Sequence, residues 1–404
     1  MPLPTIEAIK TTLENDYASC IHDPSLSGYK PIPGLLGPMF YPGGFGVVFP
    51  LVNANNHKYA FRVWHREIPG IKERTEKIAK YLESINLPYF VEFDFVSGGL
   101  TVNDDSGNQD VDTVRMEWVE GYNLHDYLTN SKEEDSPAEF KKNTKKLAEN
   151  FKSMFKDLHQ ADISHGDLQH GNVVILNNLD IKLVDYDSVF VPTIRGEKQI
   201  TCGLTGYQHP IRKGTCSIAS EKDDYFSELV IYCTLLAISL CPDLWPDDEE
   251  ELDNFSLVLT ENDFNNIASE TKGHQITERD LTNIKSSPSF ARMVNITSSD
   301  PSDASTIAEL RKLLVLLVNY LNVDDLSLIK PMPGTAKSKK KKKYSEQDQT
   351  PQQIDVPDLI STLESLSDSP LGKSKQKGYT QITKTTTKIE KTDEDTRKSK
   401  YRNQ

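Results

Sequence analysis

The sequence lacks the features that mark a membrane or an exported protein. No run approaches the roughly 18 apolar residues needed to cross a bilayer, and the longest apolar stretch, residues 229–241, predicts a buried helix. The start of the chain has no basic region followed by an apolar core, which is the pattern of an export signal. We therefore expect a cytoplasmic protein without a membrane partner.

Cysteine is scarce and shows no pattern. The five cysteines, at positions 20, 202, 216, 233 and 241, form no CxxC pair and have no metal-ligand spacing. The sequence therefore predicts free thiols, and it excludes a disulfide scaffold or a cysteine-based metal site.

Positive charge is also in short supply, because the 404-residue chain has a formal net charge of −14. Such an acidic balance argues against general affinity for nucleic acid. The exception is residues 333–404, which carry 16 Lys and Arg against 10 Asp and Glu and have no hydrophobic periodicity. We predict a disordered tail there, in which the run Lys339–Lys343 allows at most a weak contact with nucleic acid.

The tail also carries many hydroxyl side chains, for example in "TQITKTTTKIEKT" at residues 380–392. A flexible tethered segment has a high local concentration at any active site of the same chain. Modification of these hydroxyl groups by the chain's own active site is one hypothesis, and an inert solubilising tail is the other.

The pattern of hydrophobic residues changes along the chain and predicts an α+β fold with two lobes, for which the length is sufficient. We expect an N-terminal extension at residues 1–34, a small β-rich lobe at 35–120, a larger α-helical lobe at 121–332 and the tail at 333–404. In the small lobe, apolar segments around a Gly-rich turn, the alternating "KYAFRVWH" and two later strands predict a five-stranded antiparallel sheet with one helix near residues 69–86.

The Gly-rich turn "YPGGFGVVFP" lies between two predicted strands. Backbone N–H groups at Gly43, Gly44 and Gly46 can fold over phosphate groups because no Cβ interferes, although a plain hairpin turn fits the same letters. On the next strand, Ala60 and Arg62 are two apart and share one face. The small residue leaves room for a flat ring, and the cation can reach phosphate oxygens.

Three polar residues stand out in "DISHGDLQHGNVVILNNLDIKLVDYDS", residues 162–188. Asp167 lies in a predicted loop, where a carboxylate can orient an attacking hydroxyl and accept its proton. Asn172 and Asp185 offer the hard oxygen ligands that suit Mg²⁺. Placing the carboxylates of Asp167 and Asp185 together without a cation would be costly, so the cluster predicts either a metal site or a carboxyl group that is protonated or solvated.

Taken in order, these motifs resemble the protein-kinase superfamily over roughly residues 35–325. The Gly-rich loop matches at Gly43, Gly46 and Val48, with Tyr41 at the first Gly position. "YAFR" resembles the third-strand motif, with Ala60 in place and Arg62 where the family has Lys.

Further motifs follow in the order of the family. "HGDLQHGN" resembles the catalytic loop and "DYD" the metal-binding motif. "VRMEWVEGY" resembles the hinge, "GLTGYQHP" (203–210) the substrate-docking segment, and "DDYFSELVIY" the buried central helix that begins near Asp224.

The resemblance implies a bilobal kinase-like fold and phosphoryl transfer from ATP, with Mg²⁺, to Ser or Thr hydroxyls of an unidentified protein substrate. It implies catalytic roles and metal ligands at these positions: Asp167, Asn172, Asp185 and Arg62, with Asn172 and Asp185 holding the metal. It implies that the nucleotide is bound by a second set: Gly43, Gly44, Gly46, Val48, Ala60, Arg62, Met116, Glu117 and Trp118. Asp224 would brace the catalytic loop.

Departures from the family pattern keep two alternatives open. Arg62 is bulkier and planar, so its pairing with phosphates and with a helix glutamate, Glu76 or Glu73, need not reproduce that of Lys. A nucleotide-binding pseudokinase that acts as a scaffold is therefore the first alternative. Gly166 and Gln169 make the loop similar also to small-molecule phosphotransferases of the aminoglycoside and choline kinase type, which are the second.

Overall fold

The computed structural model describes residues 3–104, 107–212, 217–246 and 256–337 of the chain. It confirms the α+β prediction, with an antiparallel sheet in the first part and helices in the second. The predicted tail from residue 338 onward, with its lysine run and its candidate phosphorylation sites, lies outside the described residues.

The small lobe is built on one twisted antiparallel sheet in the order β1-β5-β6-β8-β7, with β4 pairing to β5 as a sixth strand. The strands have these bounds: β1 Tyr29–Pro31, β2 Pro33–Gly34, β3 Gly37–Pro38, β4 Tyr41–Pro42, β5 Gly46–Asn53, β6 Lys58–Trp64, β7 Phe93–Asp104 and β8 Gly107–Glu117. Strands β2 and β3 form a separate small hairpin. The described sheet thus has six strands where the sequence predicted five.

The additional strand comes from the N-terminal extension. Helices α1 (Ile6–Asn15) and α2 (Tyr17–Cys20) precede β1, which pairs antiparallel with β5. Ile9 and Leu13 of α1 pack in one cluster with Phe49 and Phe61 of the sheet, and all four are buried. Short flanking strands with prolines give a weak sequence signal, which is why the pattern missed β1.

One helix, α3 (Ile71–Ser84), lies against the sheet as predicted. Its buried positions are Arg74, Thr75, Ile78 and Leu82, which follow helical spacing along one face. An arginine therefore occupies a position on the buried stripe of this helix.

The helical lobe has these bounds: α4 Leu124–Glu134, α5 Pro137–Gln160, α6 Tyr225–Leu240, α7 Glu261–Thr271, α8 Pro288–Val294 and α9 Ala304–Leu321. All residues of α6 are buried, as expected for a helix that is hydrophobic on every side. Helices α5 and α9 pack against it, and the predicted apolar stripe of α5 is buried. No described helix has the length and hydropathy of a bilayer-spanning segment.

A small three-stranded sheet positions the loop residues singled out in the sequence. Strands β9 (Tyr122–Asn123), β10 (Val173–Ile175) and β11 (Ile181–Leu183) lie in the order β11-β10-β9. Val173 pairs with Leu183, and the Val184 N–H donates to the Asn172 carbonyl at 3.0 Å. This hairpin brings Asn172, which precedes β10, and Asp185, which follows β11, to the same end of the sheet.

The folded part of the chain extends past the predicted boundary at residue 333. Thr335 is buried, and its carbonyl oxygen lies 2.9 Å from His159 Nδ1. Lys337 Nζ forms an ion pair with Asp162 at 2.6 Å. Residues 333–337, which composition alone assigned to the tail, are therefore held against the end of α5 by one buried and one exposed polar contact.

Candidate active site

A cleft of about 610 Å³ lies where the six-stranded sheet of the small lobe meets strands β9–β11. The predicted residues that line it are Gly43, Gly46, Val48, Ala60, Arg62, Met116, Glu117, Trp118, Asn172 and Asp185. Gly44 and Asp167 are not among the lining residues. Tyr41, Val119 and Asp126 also line the cleft and had no role in the sequence-based prediction.

The Gly-rich turn is closed by a hydrogen bond from the Gly43 N–H to the Gly46 carbonyl at 2.8 Å. A Cβ at Gly46 would lie 2.8 Å from Nε of Arg62, so the cation packs directly over this position. A Cβ at Gly44 would meet open space. The turn therefore has no room for a side chain at Gly46, where it meets Arg62, and has free space around Gly44 at its tip.

Strand β6 presents Ala60 and Arg62 to the cleft. Ala60 pairs with Met116 of β8, and Arg62 pairs with Val48 on one side and Val114 on the other. The small side chain leaves space beside Met116, which is almost fully buried. The sequence prediction that these two residues share one face of a strand is met in the geometry.

The hinge backbone differs from the expectation in one respect. The Glu117 N–H donates to the Glu92 carbonyl at 3.1 Å, and the Trp118 N–H donates to the Lys58 carbonyl at 3.2 Å. Both donors are therefore already engaged. Val119 is the next cleft residue, and its N–H donates to no carbonyl among the described residues.

Asp224, at the start of α6, holds the loop that contains Asp167. Its carboxylate accepts hydrogen bonds from the backbone N–H of His165 and, at 2.9 Å, from that of Gly166. Burial raises the pKa of Asp224 to about 8, and the nearby Glu228 adds to the shift. Gly166 has φ +78°, and a Cβ there would collide with the Ser188 carbonyl oxygen. A residue with a side chain therefore cannot fit at this position unless the backbone of Ser188 moves.

Two hydrogen bonds hold Asp167, the predicted base, in place. Asp167 accepts a hydrogen bond on Oδ1 from the Leu204 N–H at 3.0 Å. Its carbonyl oxygen accepts from Nδ2 of Asn172 at 2.8 Å. Burial raises the pKa of Asp167, while His165 and the Leu204 N–H oppose that shift. The Asn172 bond uses the amide nitrogen and leaves the carboxamide oxygen available to the cleft.

Arg62 pairs with two carboxylates of the following loop. Nη1 lies 2.7 Å from Oδ1 of Asp185, and Nη2 contacts Oδ2 of Asp187. Burial alone would raise the pKa of Asp185, but the guanidinium overcomes this effect and lowers it. Burial raises the pKa of Asp187 to about 6 in spite of Arg62. Asp185 has φ +63°, a left-handed conformation that is uncommon for a residue with a side chain.

The helix glutamate expected to pair with Arg62 does not do so. Within the described chain, the ion-pair partners of Arg62 are Asp185 and Asp187, and neither Glu73 nor Glu76 contacts it. Glu73 is exposed on α3. The buried face of that helix carries Arg74, which does not line the cleft.

Arg74 joins α3 to the segment after Asp185. It is 3 % exposed and donates to the carbonyl oxygens of Asp187 at 3.1 Å and Lys198 at 3.2 Å. It also donates to Oε1 of Gln199 at 3.0 Å. Sequence reasoning missed this residue, although its place on the apolar stripe of α3 was a usable signal.

The donor set fits a magnesium ion bound together with phosphate oxygens. Asp185 is ionised and keeps one carboxylate oxygen outside its bond to Arg62, and Asn172 contributes a carboxamide oxygen. Mg²⁺ commonly uses one or two protein oxygens and completes its shell with water and phosphate. Among the described residues, no group of three or more His, Cys, Asp or Glu side chains forms a metal cage by itself.

Comparisons with known proteins add little to this geometry. No family model and no curated protein matches the chain. Among the solved structures that match is the Cydia pomonella granulovirus kinase PK-1, with 14 % identity and a TM-score of 0.42, over 75 % of this chain and 92 % of that chain. At this level of similarity, no residue role is transferred from it.

Proposed function

We propose that the chain catalyses ATP- and Mg²⁺-dependent phosphoryl transfer to Ser or Thr hydroxyls of protein substrates. The observation that carries the proposal is that Asn172, Asp185 and Arg62 line one cleft, while Asp167 lies beside it with its carbonyl oxygen bonded to Nδ2 of Asn172. A carboxylate base, two oxygen ligands and a cation are the groups that phosphoryl transfer needs.

Each residue has a role that follows from its position. Asp167 orients the hydroxyl of the substrate and accepts its proton. Asn172 and Asp185 hold Mg²⁺, which when bound neutralises charge on the phosphate oxygens. Arg62 and the open glycine turn contact the phosphates, and Ala60 and Met116 leave space for the adenine ring. The Val119 N–H is the donor that we expect to meet the edge of that ring.

A protein substrate is favoured over a small molecule by the segment at residues 203–210. The Leu204 N–H contacts the carboxylate of Asp167, so this segment lies directly beside the reacting groups. Small-molecule phosphotransfer remains the second possibility for the same residues, and it would require the acceptor to enter without contacting this segment.

One observation favours a pseudokinase as the alternative. Arg62 occupies the carboxylates of both Asp185 and Asp187, so its guanidinium provides the positive charge that a metal ion would otherwise supply. A nucleotide-binding scaffold would keep both ion pairs of Arg62 when the nucleotide binds. A kinase must exchange part of it when Mg²⁺ and ATP bind.

The test is incubation of the purified protein with Mg²⁺ and radiolabelled ATP, beside Asp167→Ala and Arg62→Lys. The kinase proposal predicts label on a general protein acceptor and its loss in Asp167→Ala. Absence of label together with a nucleotide-induced rise in melting temperature would instead support the scaffold, since a ligand of the folded state raises stability. Label that appears only on added sugars or alcohols would support the small-molecule enzyme.

A further inference from the structure

A second pocket, of about 370 Å³, lies in the helical lobe beside the segment at residues 203–210. Its polar lining includes Arg195, Gln208, Arg212, Ser217, Ser220 and Lys222. None of these residues belongs to the cleft described above. His209, Glu221 and Asp223 also line the pocket, so three cations face two carboxylates there, although the chain as a whole is acidic.

Arg212 is the central feature of this pocket because it forms no ion pair within the part of the chain that the structure describes. It is only 4 % exposed, and Nη1 donates to Oε1 of Gln208 at 2.6 Å and to the Asp223 carbonyl at 3.1 Å. Nε and Nη2 are buried and have no acceptor among the described residues. The charge of Arg212 also acts on Asp167, where it opposes the rise in the pKa of that carboxyl group. A buried guanidinium without a paired anion is costly, so an anion in the adjoining pocket would stabilise it.

The carboxylates near the pocket are already engaged by other groups. Glu221 pairs with Arg195 at 3.3 Å. The carboxylate of Asp223 accepts from Nε2 of Gln199 at 2.8 Å and from the N–H and Oγ of Ser220. Neither carboxylate forms an ion pair with Arg212 or Lys222, so these two cations remain available for a ligand.

We propose that this pocket binds the phosphate of a phosphoserine or phosphothreonine in a protein segment. A phosphate monoester carries nearly two negative charges and several acceptor oxygens, which suits two available cations beside hydroxyl donors. The rim also has Ile218, which is 52 % exposed and would contact a neighbouring side chain of a peptide. That apolar contact favours a peptide over free phosphate.

Two sources can supply this chemistry, the Thr-rich tail of the chain itself or another phosphoprotein. The test uses fluorescence anisotropy with a labelled peptide of residues 380–392 phosphorylated at Thr386, the same peptide without phosphate, and an unrelated phosphothreonine peptide of equal charge. We expect the phosphate to tighten binding at least about tenfold. Binding of the tail phosphopeptide alone assigns the site to the tail, and binding of both phosphopeptides assigns it to phosphoproteins in general.

Point variants test whether the phosphopeptide binds in this pocket. Arg212→Met is expected to abolish the preference for phosphate, while Arg195→Gln and Lys222→Gln, which alter exposed side chains, weaken it severalfold with an unchanged melting temperature. Lys272→Gln removes the same charge from an exposed position outside the pocket and serves as the control.

Two results would overturn the proposal: equal affinity for the phosphorylated and unphosphorylated peptides, or equal weakening by Lys272→Gln and Lys222→Gln. The exposed variants keep this test valid even if Arg212→Met fails to fold. Asp185→Ala, which removes a proposed metal ligand, is expected to retain phosphopeptide binding. Failure of the kinase proposal and failure of the pocket proposal are thereby distinguishable.

Discussion

The two walls of the cleft are held in different ways. On the wall of the helical lobe, Asp167 and Asn172 are fixed by hydrogen bonds with backbone groups, and Asp224 braces the same loop through two backbone N–H groups. On the other wall, Arg62 and Arg74 reach from the small lobe to the loop after Asp185. The first wall holds its polar side chains through backbone contacts, and the second holds the loop through cations and their carboxylate and carbonyl partners.

This difference indicates where the chain has freedom to diverge. The base must sit within hydrogen-bond distance of a hydroxyl, so its geometry tolerates little change. The cation above the phosphates acts mainly through its charge, and its partners can be exchanged if every buried charge stays paired. In this chain Arg62 takes carboxylate partners from the loop, and Arg74 of α3 donates hydrogen bonds to the segment after Asp185.

The largest expected effect is the loss of phosphoryl transfer when Asp167, on the side of the helical lobe, is replaced. Asp167→Asn keeps the shape of the side chain but removes the proton acceptor, so phosphoryl transfer should fall by about 10²- to 10⁴-fold. The melting-temperature rise caused by Mg²⁺-ATP should remain. Radiolabel transfer and thermal unfolding measure both quantities on one preparation, and an unchanged transfer rate would remove Asp167 from the chemistry.

The next effect tests the small-lobe wall. Arg62→Met leaves the buried carboxylate of Asp187 without its cation, so the free energy of unfolding should fall by about 3–5 kcal/mol. Urea denaturation measures it. Lys58→Met breaks an ion pair with the exposed Glu120 and provides the matched control, with an expected cost below about 1 kcal/mol. Equal losses in the two variants would show that the Arg62 pairs contribute no more than a surface contact.

A smaller, local effect is expected at Arg74. Arg74→Met removes charge-assisted hydrogen bonds to the segment at residues 187–199, and the opening of that segment should become easier by about 2–3 kcal/mol. Amide hydrogen exchange of the segment reports this directly. Lys77→Met, which removes an exposed pair with Glu197 from the same helix, should leave the exchange nearly unchanged. Similar protection in the two variants would contradict the role of Arg74.

The smallest effect, taken per pH unit, concerns the pH dependence of the brace. Because burial raises the pKa of Asp224 to about 8, the folded state holds a proton there that the unfolded state releases near its ordinary pKa. Stability from this group is therefore lost as the pH rises between about 4 and 8, by on the order of 1 kcal/mol per pH unit. Asp224→Asn should remove this part of the slope between pH 5 and 7 in urea titrations. An identical slope in both proteins would contradict the assignment.

Local patterns in the sequence were sufficient for much of the small lobe and for the hairpin that carries the site. The apolar runs around residues 173–177 and 181–184 are typical of two short strands, and the pairing of these strands brings Asn172 and Asp185 to one edge. Alternation in "KYAFRVWH" likewise predicted that Ala60 and Arg62 share a face, as they do in β6.

Contacts between distant parts of the chain were not predictable from those patterns. Arg62 and Asp187 are 125 residues apart in sequence, and Arg74 and Gln199 are equally distant, so no periodicity links them. Strand β1 was missed because three residues with a proline carry little signal, and its pairing depends on β5. The engaged N–H groups of Glu117 and Trp118 also depend on which strands lie beside them.

Calorimetric titration of ATP with and without Mg²⁺, into the unaltered protein and Asp185→Ala, tests the central claim most directly. If Asn172 and Asp185 hold the metal of a nucleotide in the cleft, ATP should bind clearly more tightly with Mg²⁺ than in chelator, and Asp185→Ala should lose this difference. Equal affinity with and without Mg²⁺, or a Mg²⁺ effect that persists in the variant, would contradict the proposed site.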